Sequence, residues 1–298
     1  MQLDMVYCGD SRSLSVIDDE SVNLIMTSPP YSDLRSHTYG GVKPDEYVEW
    51  FMQFSPELKR VLRNDGSFVL NINDKVVGGE RHTYVIELIL ALREDGWKWI
   101  ERYPWVKMNA TPGRFRYRLR DAFEYNLHFT KTFDFKIYKD HVKIPAQEST
   151  IRKKKLWDRK CPLFRRVSGT KSGIGVNSSQ MAKDGLVEPC NTLVMPTQCG
   201  NTLHSAAFPV ELPTFFILLF TKKGDIVLDP FIGSGTTAIA AKKVDRYFIG
   251  VDKDREMCNN AWSRIFEEER CGSFRFVRSP FSRNPKINGT YSFGGHKK

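Results

Sequence analysis

The chain has 298 residues, 41% of them hydrophobic and 27% charged, enough to bury one large core with a module inserted in or added to it. Lys and Arg number 45 against 35 Asp and Glu, a net charge of +10 that suggests a polyanionic partner. The longest uninterrupted apolar run, 215–220, is too short to span a bilayer, and the N-terminus lacks a basic-then-apolar signal pattern, so a soluble, cytoplasmic protein is expected. Cys8, Cys161, Cys190, Cys199, Cys258 and Cys271 show no C-x-x-C spacing, which fits free thiols in a reducing compartment and no metal site.

In chain order, 5–8 is a short strand ended by the turn Gly9-Asp10-Ser11, and 22–26 is a buried strand. Thr27-Ser28-Pro29-Pro30-Tyr31 follows at its C-terminal end. Two prolines cannot continue a strand or helix, so a rigid loop is expected, offering a hydroxyl, backbone oxygens and an aromatic face. Such a loop suits the NH2 of a flat heterocycle: oxygens accept its hydrogens while Tyr31 stacks on the ring. The polar stretch 32–42 reads as a lid. A helix is expected over 44–63, a stop at Asn64-Asp65-Gly66, a strand over 67–72, a helix over 83–93, and strands over 97–107 and 124–130. This alternation predicts an α/β fold with a mostly parallel sheet and helices on both faces.

In Arg114-Phe115-Arg116-Tyr117-Arg118-Leu119-Arg120 the period-two alternation puts four arginines on one face of an extended segment, as a phosphate-tracking ribbon or a solvated edge. From 136 to 201 the sheet-like rhythm is lost. Residues 151–171 hold nine basic side chains (Arg152, Lys153, Lys154, Lys155, Arg159, Lys160, Arg165, Arg166 and Lys171) against one acid, Asp158. Interleaved with Leu156, Trp157, Leu163 and Phe164, they favour a nucleic-acid-facing surface. Regular structure resumes at Phe208-Pro209: a helix over 210–221, a strand over 225–229, a glycine loop, a helix over 236–243, a strand over 247–252 and a helix from 254 to about 269. The tail beyond is basic and expected to fray.

Asp229-Pro230-Phe231-Ile232-Gly233-Ser234-Gly235-Thr236-Thr237 lies between strand and helix, and Gly233-x-Gly235-x-x-Ala238 fits the dinucleotide fingerprint. Asp252, 19 residues beyond Gly233 at the end of the next strand, has the placement of a ribose-gripping acid. A carboxylate at Asp229 disfavours a pyrophosphate there, and no Lys follows the second glycine as an ATP loop requires. A ligand with a ribose and an ammonium group but no phosphate fits, and S-adenosylmethionine is that ligand, with Asp229 near its amino-acid end. Beside an amine-gripping loop this predicts direct in-line methyl transfer, driven by positioning and electrostatics, to an exocyclic amine of cytosine or adenine. In duplex DNA the base must first be flipped out.

These motifs together resemble the DNA amino-group methyltransferases with a Ser/Asp-Pro-Pro-Tyr motif, in the permuted order called the β class. The resemblance covers about residues 5–130 and 203–265, and implies a Rossmann-like S-adenosylmethionine-dependent fold. It implies catalytic roles for Ser28, Pro29, Pro30 and Tyr31. Cofactor contacts are implied at Asp10, Ser11, Thr27, His204, Phe208, Pro209, Asp229, Pro230, Phe231, Gly233, Ser234, Gly235, Thr236, Thr237, Asp252 and Lys253. It divides the chain into a catalytic part (1–135), a target-recognition region (136–201), a cofactor-binding part (202–270) and a basic tail (271–298). Ser before Pro-Pro is the form associated with the 4-amino group of cytosine, and the 6-amino group of adenine is the alternative. Double-stranded DNA is the implied partner, with a cognate restriction endonuclease acting on the same site; monomer and homodimer both stay open.

Three rival readings stand beside this one. Carbon-5 methylation needs a Pro-Cys nucleophile; at Pro189-Cys190, Asn191 follows, no Glu-Asn-Val partner exists, and Cys190 reads as a buried thiol. RNA or protein methylation stays open as a lesser alternative, because the chemistry does not name the polymer. A non-catalytic DNA-binding subunit would not need both loops intact.

Overall fold

Short apolar runs, each ended by a turn residue, build the sheet that positions everything else. The computed structural model describes residues 1–32, 41–110, 116–146, 185–197 and 208–270. Its strands are β1 (Met5–Cys8), β2 (Val22–Thr27), β3 (Leu62–Ile72), β4 (Val76–Val77), β5 (Glu80–Arg81), β6 (Lys98–Lys107), β7 (Phe123–Thr130), β8 (Ile144–Pro145), β9 (Leu186–Val187), β10 (Leu193–Met195), β11 (Ile226–Asp229) and β12 (Tyr247–Asp252). The helices are α1 (Tyr47–Met52), α2 (Ser55–Val61), α3 (Tyr84–Glu94), α4 (Glu211–Phe220), α5 (Thr236–Lys243) and α6 (Arg255–Arg270).

Chain contacts divide the protein into one unit of Met1–Tyr138 with Asn191–Val277 and another of Lys139–Cys190 with Arg278–Lys298. In the first, eight strands form one sheet in the order β1-β12-β11-β2-β3-β7-β6-β10. All neighbours are parallel except the two pairs that β7 makes, with β3 and with β6. In the second, the described residues include a 3-10 turn at Lys139–Val142 and the antiparallel pair of β8 and β9.

Alternation along the strands supplies both layers of the core. Ile25, Phe68, Leu70, Phe129, Leu228 and Ile249 share one cluster with Tyr47 and Phe51 of α1, Leu58 of α2 and Leu88 and Leu92 of α3. Residues that alternate with these meet α4 from the other side, as where His128 lies 4.3 Å from the Phe220 ring. No helix among the described residues is long and apolar enough to cross a membrane.

Five sequence expectations are corrected. The helix expected over 44–63 is a 3-10 turn (Pro44–Glu46) and two helices, because Pro56 takes a first-turn position and starts α2 afresh. Asn64-Asp65-Gly66 is no stop; β3 runs through it over an irregularity in its pairing with β2. A Cβ on Gly66 would come within 2.9 Å of the Asn23 carbonyl oxygen, so only glycine lets the two strands close here. Within 136–201, Leu193 and Met195 are buried and β10 joins the main sheet beside β6, a run too short to show periodicity. Cys190 is exposed rather than buried. The alternation at 114–120 also gives no strand over 116–120, where Tyr117 and Leu119 are 85% and 89% exposed.

Candidate functional site

From β11 the chain crosses by α5 to β12 on one side, and from β2 by α1 and α2 to β3 on the other, so the winding reverses between β11 and β2. Ligands of open α/β sheets bind beyond the carboxyl ends of the strands at such a reversal. The turn after β1, Thr27 and its Pro-Pro loop after β2, Asp229 and its glycine loop after β11, and Asp252 after β12 all lie at that edge.

Asp229 ties the two loops together. Its Oδ1 accepts from the Thr27 hydroxyl at 2.6 Å and the Phe231 amide at 3.1 Å, and its Oδ2 accepts from the Thr237 hydroxyl at 2.6 Å. Burial pushes this carboxyl up to about 6, against the pull of its three hydrogen bonds. Gly235 caps α5 in the left-handed region (φ 82°), and a Cβ there would meet Ala261 of α6. Arg264, also on α6, donates to Ser234 Oγ and O and to Thr236 Oγ1, bracing the glycine loop from behind. Asp252 is buried; Oδ2 accepts from the Gly233 amide at 3.1 Å and Oδ1 from the Asp254 amide at 3.0 Å.

A cavity of about 210 Å³ opens beside this loop, lined by Gly9, Asp10, Ser11, Arg12, Trp50, Phe54, Pro230, Phe231 and Lys253. Ser11 Oγ donates to the Pro230 carbonyl at 2.6 Å, locking the turn after β1 to the glycine loop. The Phe54 and Trp50 rings lie 4.9 and 5.9 Å from the Phe231 ring, giving the cavity an aromatic wall. The hydrogen-bonded Arg12 guanidinium holds the Asp10 carboxyl below its ordinary value.

In the Pro-Pro loop Pro29 and Pro30 are buried while Ser28 and Tyr31 are half-buried. The Pro30 carbonyl accepts from the Tyr47 hydroxyl at 3.0 Å, which fixes the loop to α1. The Tyr31 hydroxyl reaches Glu124 Oε2 at 2.8 Å and Asn71 Oδ1 at 3.0 Å, and Ser28 Oγ lies 3.5 Å behind it. Burial, with the Glu124 charge beside it, holds the Tyr31 phenol well above its ordinary value.

Of the expected site residues, Asp10, Ser11, Pro230, Phe231 and Lys253 line the cavity, while Thr27, Asp229, Gly233, Ser234, Gly235, Thr236, Thr237 and Asp252 form the hydrogen-bonded frame around it. Phe208 and Pro209 lead into α4 and are not among the cavity-lining residues. Arg116 stacks on Tyr117 at 4.9 Å and Arg118 pairs with Asp121 at 2.9 Å. His204, Arg114, Arg152, Lys153, Lys154, Lys155, Arg159, Lys160, Arg165, Arg166 and most of the expected lid lie outside the described residues. Sequence motifs single out none of Trp50, Asn71, Lys107, Glu124 and Arg264, and give Phe54 no role at the site. An acid inside the apolar run of β7 was the one visible sign of Glu124.

A family model described as DNA methylase (N6_N4_Mtase) matches residues 22–263. The Type II methyltransferase M.PvuII of Proteus hauseri is 30% identical over 273 residues, covering 84% of this chain and 80% of that one. The solved PvuII DNA methyltransferase (cytosine-N4-specific) superposes with a TM-score of 0.64 at 24% identity over 92% of both chains. The M1.HpyAVI–SAM complex does so at 0.54 and 21%, over 88% of this chain and 98% of that one. At those identities the two structures speak to the fold.

Proposed function

The chain belongs to the N6_N4_Mtase family of DNA methylases, and on that premise we propose that it methylates the exocyclic 4-amino group of cytosine in duplex DNA, with S-adenosylmethionine as donor. The observation that carries the reading is the Thr27–Asp229–Thr237 bridge, which fastens the Ser28-Pro29-Pro30-Tyr31 loop to the glycine loop at one sheet edge. The residues present fit the donor. The aromatic wall of Phe231, Trp50 and Phe54 suits a flat adenine, Asp252 suits the ribose hydroxyls, and Asp229 carries the charge that favours a cation. When bound, the donor supplies an electrophilic sulfonium methyl group.

The chain's own residues do the rest. Ser28 Oγ and the Pro29 carbonyl accept the amine hydrogens, which favours a pyramidal nitrogen and aims its lone pair. The Pro-Pro backbone, pinned through Pro30 to Tyr47, keeps these acceptors from relaxing away, so positioning supplies much of the rate. The Ser28 form of the motif and the cytosine-N4-specific PvuII enzyme among the related structures favour cytosine over adenine. The Lys139–Cys190 unit, with its run of basic residues, is read as the target-recognition part that contacts DNA phosphates. We read the protein as a cytoplasmic enzyme that forms the modification half of a restriction–modification pair, a reading supported by its likeness to a Type II methyltransferase.

The test uses purified protein, tritium-labelled S-adenosylmethionine and bacterial genomic DNA, with the labelled nucleoside identified by mass spectrometry. N4-methylcytosine is expected. N6-methyladenine would move the target to adenine, and label in RNA alone, or nowhere, would overturn the reading.

A further inference from the structure

A chain of polar groups runs back from the Pro-Pro loop into β7 and β6. The Asn71 amide nitrogen donates to Asn126 Oδ1 at 3.2 Å and to the Tyr125 carbonyl at 3.3 Å, so its oxygen is the end turned to Tyr31. Glu124 Oε1 is held by the Lys107 ammonium at 2.5 Å, and its Oε2 faces Tyr31 at 2.8 Å. Glu124 and Lys107 are mostly shielded from water, with side chains 11% and 22% exposed. The Tyr31 hydroxyl has a single proton, and both groups on this side of it are acceptors. The proton therefore points to Glu124 on β7 or Asn71 on β3, and the phenol oxygen offers only lone pairs to the Ser28 side. Ser28 can meet it only by donating its own proton across the 3.5 Å link. That turns the Ser28 lone pairs outward.

We infer that Glu124, backed by Lys107, is a positioning residue that sets the direction of this hydrogen-bond chain and so makes the Ser28 oxygen the acceptor for the substrate amine. A neutral group at 124 can donate as well as accept, which leaves Asn71 as the one fixed acceptor and weakens the direction of the chain. Ser28 would then present its proton to the amine for part of the time, the arrangement opposite to the one transfer needs. Burial keeps Tyr31 protonated, so the phenol stays a link in the chain. The inference rests on the amino-methylation reading above and assigns a role to a residue that acts through Tyr31 and Ser28.

The experiment compares wild type, Glu124→Gln, Glu124→Asp, Tyr31→Phe and the Tyr31→Phe/Glu124→Gln pair. Each is checked for thermal unfolding, for S-adenosylmethionine affinity by calorimetry, and for kcat and KM on bacterial genomic DNA with tritium-labelled donor. Glu124→Gln should lower kcat by about tenfold to a hundredfold, with donor affinity and KM for DNA held. It should cost nothing further once Tyr31→Phe has removed the link. Gln matches the shape of Glu and Asp matches its charge, so the Asp variant should be the faster one; a packing role predicts the reverse order. Wild-type turnover in Glu124→Gln, equal losses with and without the Tyr31 hydroxyl, or Gln outpacing Asp would each overturn the inference. If Glu124→Gln does not fold, the Asp variant and the Tyr31→Phe background still decide it: a folded Asp variant slower than Tyr31→Phe overturns it. A wild-type chain that labels no DNA overturns the functional reading itself, a distinct result.

Discussion

Asp229 is a carboxylate buried with two threonine hydroxyls and one amide as hydrogen-bond partners and no cation among them. Its folded value of about 6 lies above the ordinary 3.8, so the folded state holds this proton more tightly than the unfolded chain does. The stability tied to it is complete below the unfolded value and is lost as pH rises through about 6. Asp229→Asn keeps an oxygen for Thr27 and an amide for Thr237 without the charge. It should match wild type near pH 4 and exceed it by about 1–3 kcal/mol at pH 7. It should also bind S-adenosylmethionine more weakly, because the buried charge that costs stability is the one that favours a cationic ligand. Chemical denaturation across that pH range, with calorimetry, checks both; a constant stability difference would refute the first. Ser28→Ala separates the loops in another way: donor affinity should hold while turnover falls by about two orders of magnitude or more, as when one preorganised hydrogen-bonding group is removed. Wild-type turnover would take Ser28 out of the mechanism.

At the scale of elements, β7 shows what a sequence conceals. The run Phe123–Thr130 is legible as a strand, but not that it alone lies antiparallel to its neighbours, nor that Glu124, Asn126 and His128 form a buried polar column on one of its faces. Their partners lie far away in sequence: Lys107 for Glu124, the Tyr103 carbonyl for Asn126, and Ser67 for His128 Nε2, while His128 Nδ1 is buried with no partner among the described residues. Strand periodicity carries no such pairing. Likewise Trp50 and Phe54, four positions apart, read as helix-face apolar residues, and only the fold shows that they face Phe231 and line the cavity. The local motifs were legible for the opposite reason, since each loop's glycines, prolines and acids act within a few residues of one another. His128 gives the column a pH signature opposite to that of Asp229. Burial lowers its value from 6.5 to about 3, so its contribution is present above the unfolded value and lost as pH falls below it. His128→Gln should therefore lose about 2 kcal/mol less than wild type between pH 7 and pH 5, as read from unfolding midpoints. Parallel curves would show that the imidazole is not held neutral.

For the whole molecule, the strand order joins two sequence blocks about two hundred residues apart into one edge, because β11 sits between β12 and β2. Strand–helix alternation predicted a mostly parallel sheet but could not predict this order, which is set by which crossovers turn left or right of β2 and β11. The net charge is likewise a whole-chain property with a local origin: nine of the 45 basic residues fall within 151–171. If that segment tracks phosphates, each neutralised contact releases condensed counterions, and log K for duplex DNA falls against log salt by about 0.9 per contact. Replacing Arg152, Lys153, Lys154 and Lys155 together by Gln should weaken binding at low salt and flatten the slope by about three to four. Affinity for S-adenosylmethionine should not change, because the cavity proposed for it belongs to the other unit, between the turn after β1 and the glycine loop. Fluorescence anisotropy with a random-sequence duplex at several salt concentrations measures the slope directly. An unchanged slope would mean that the positive charge of 152–155 serves solubility and that DNA is gripped elsewhere.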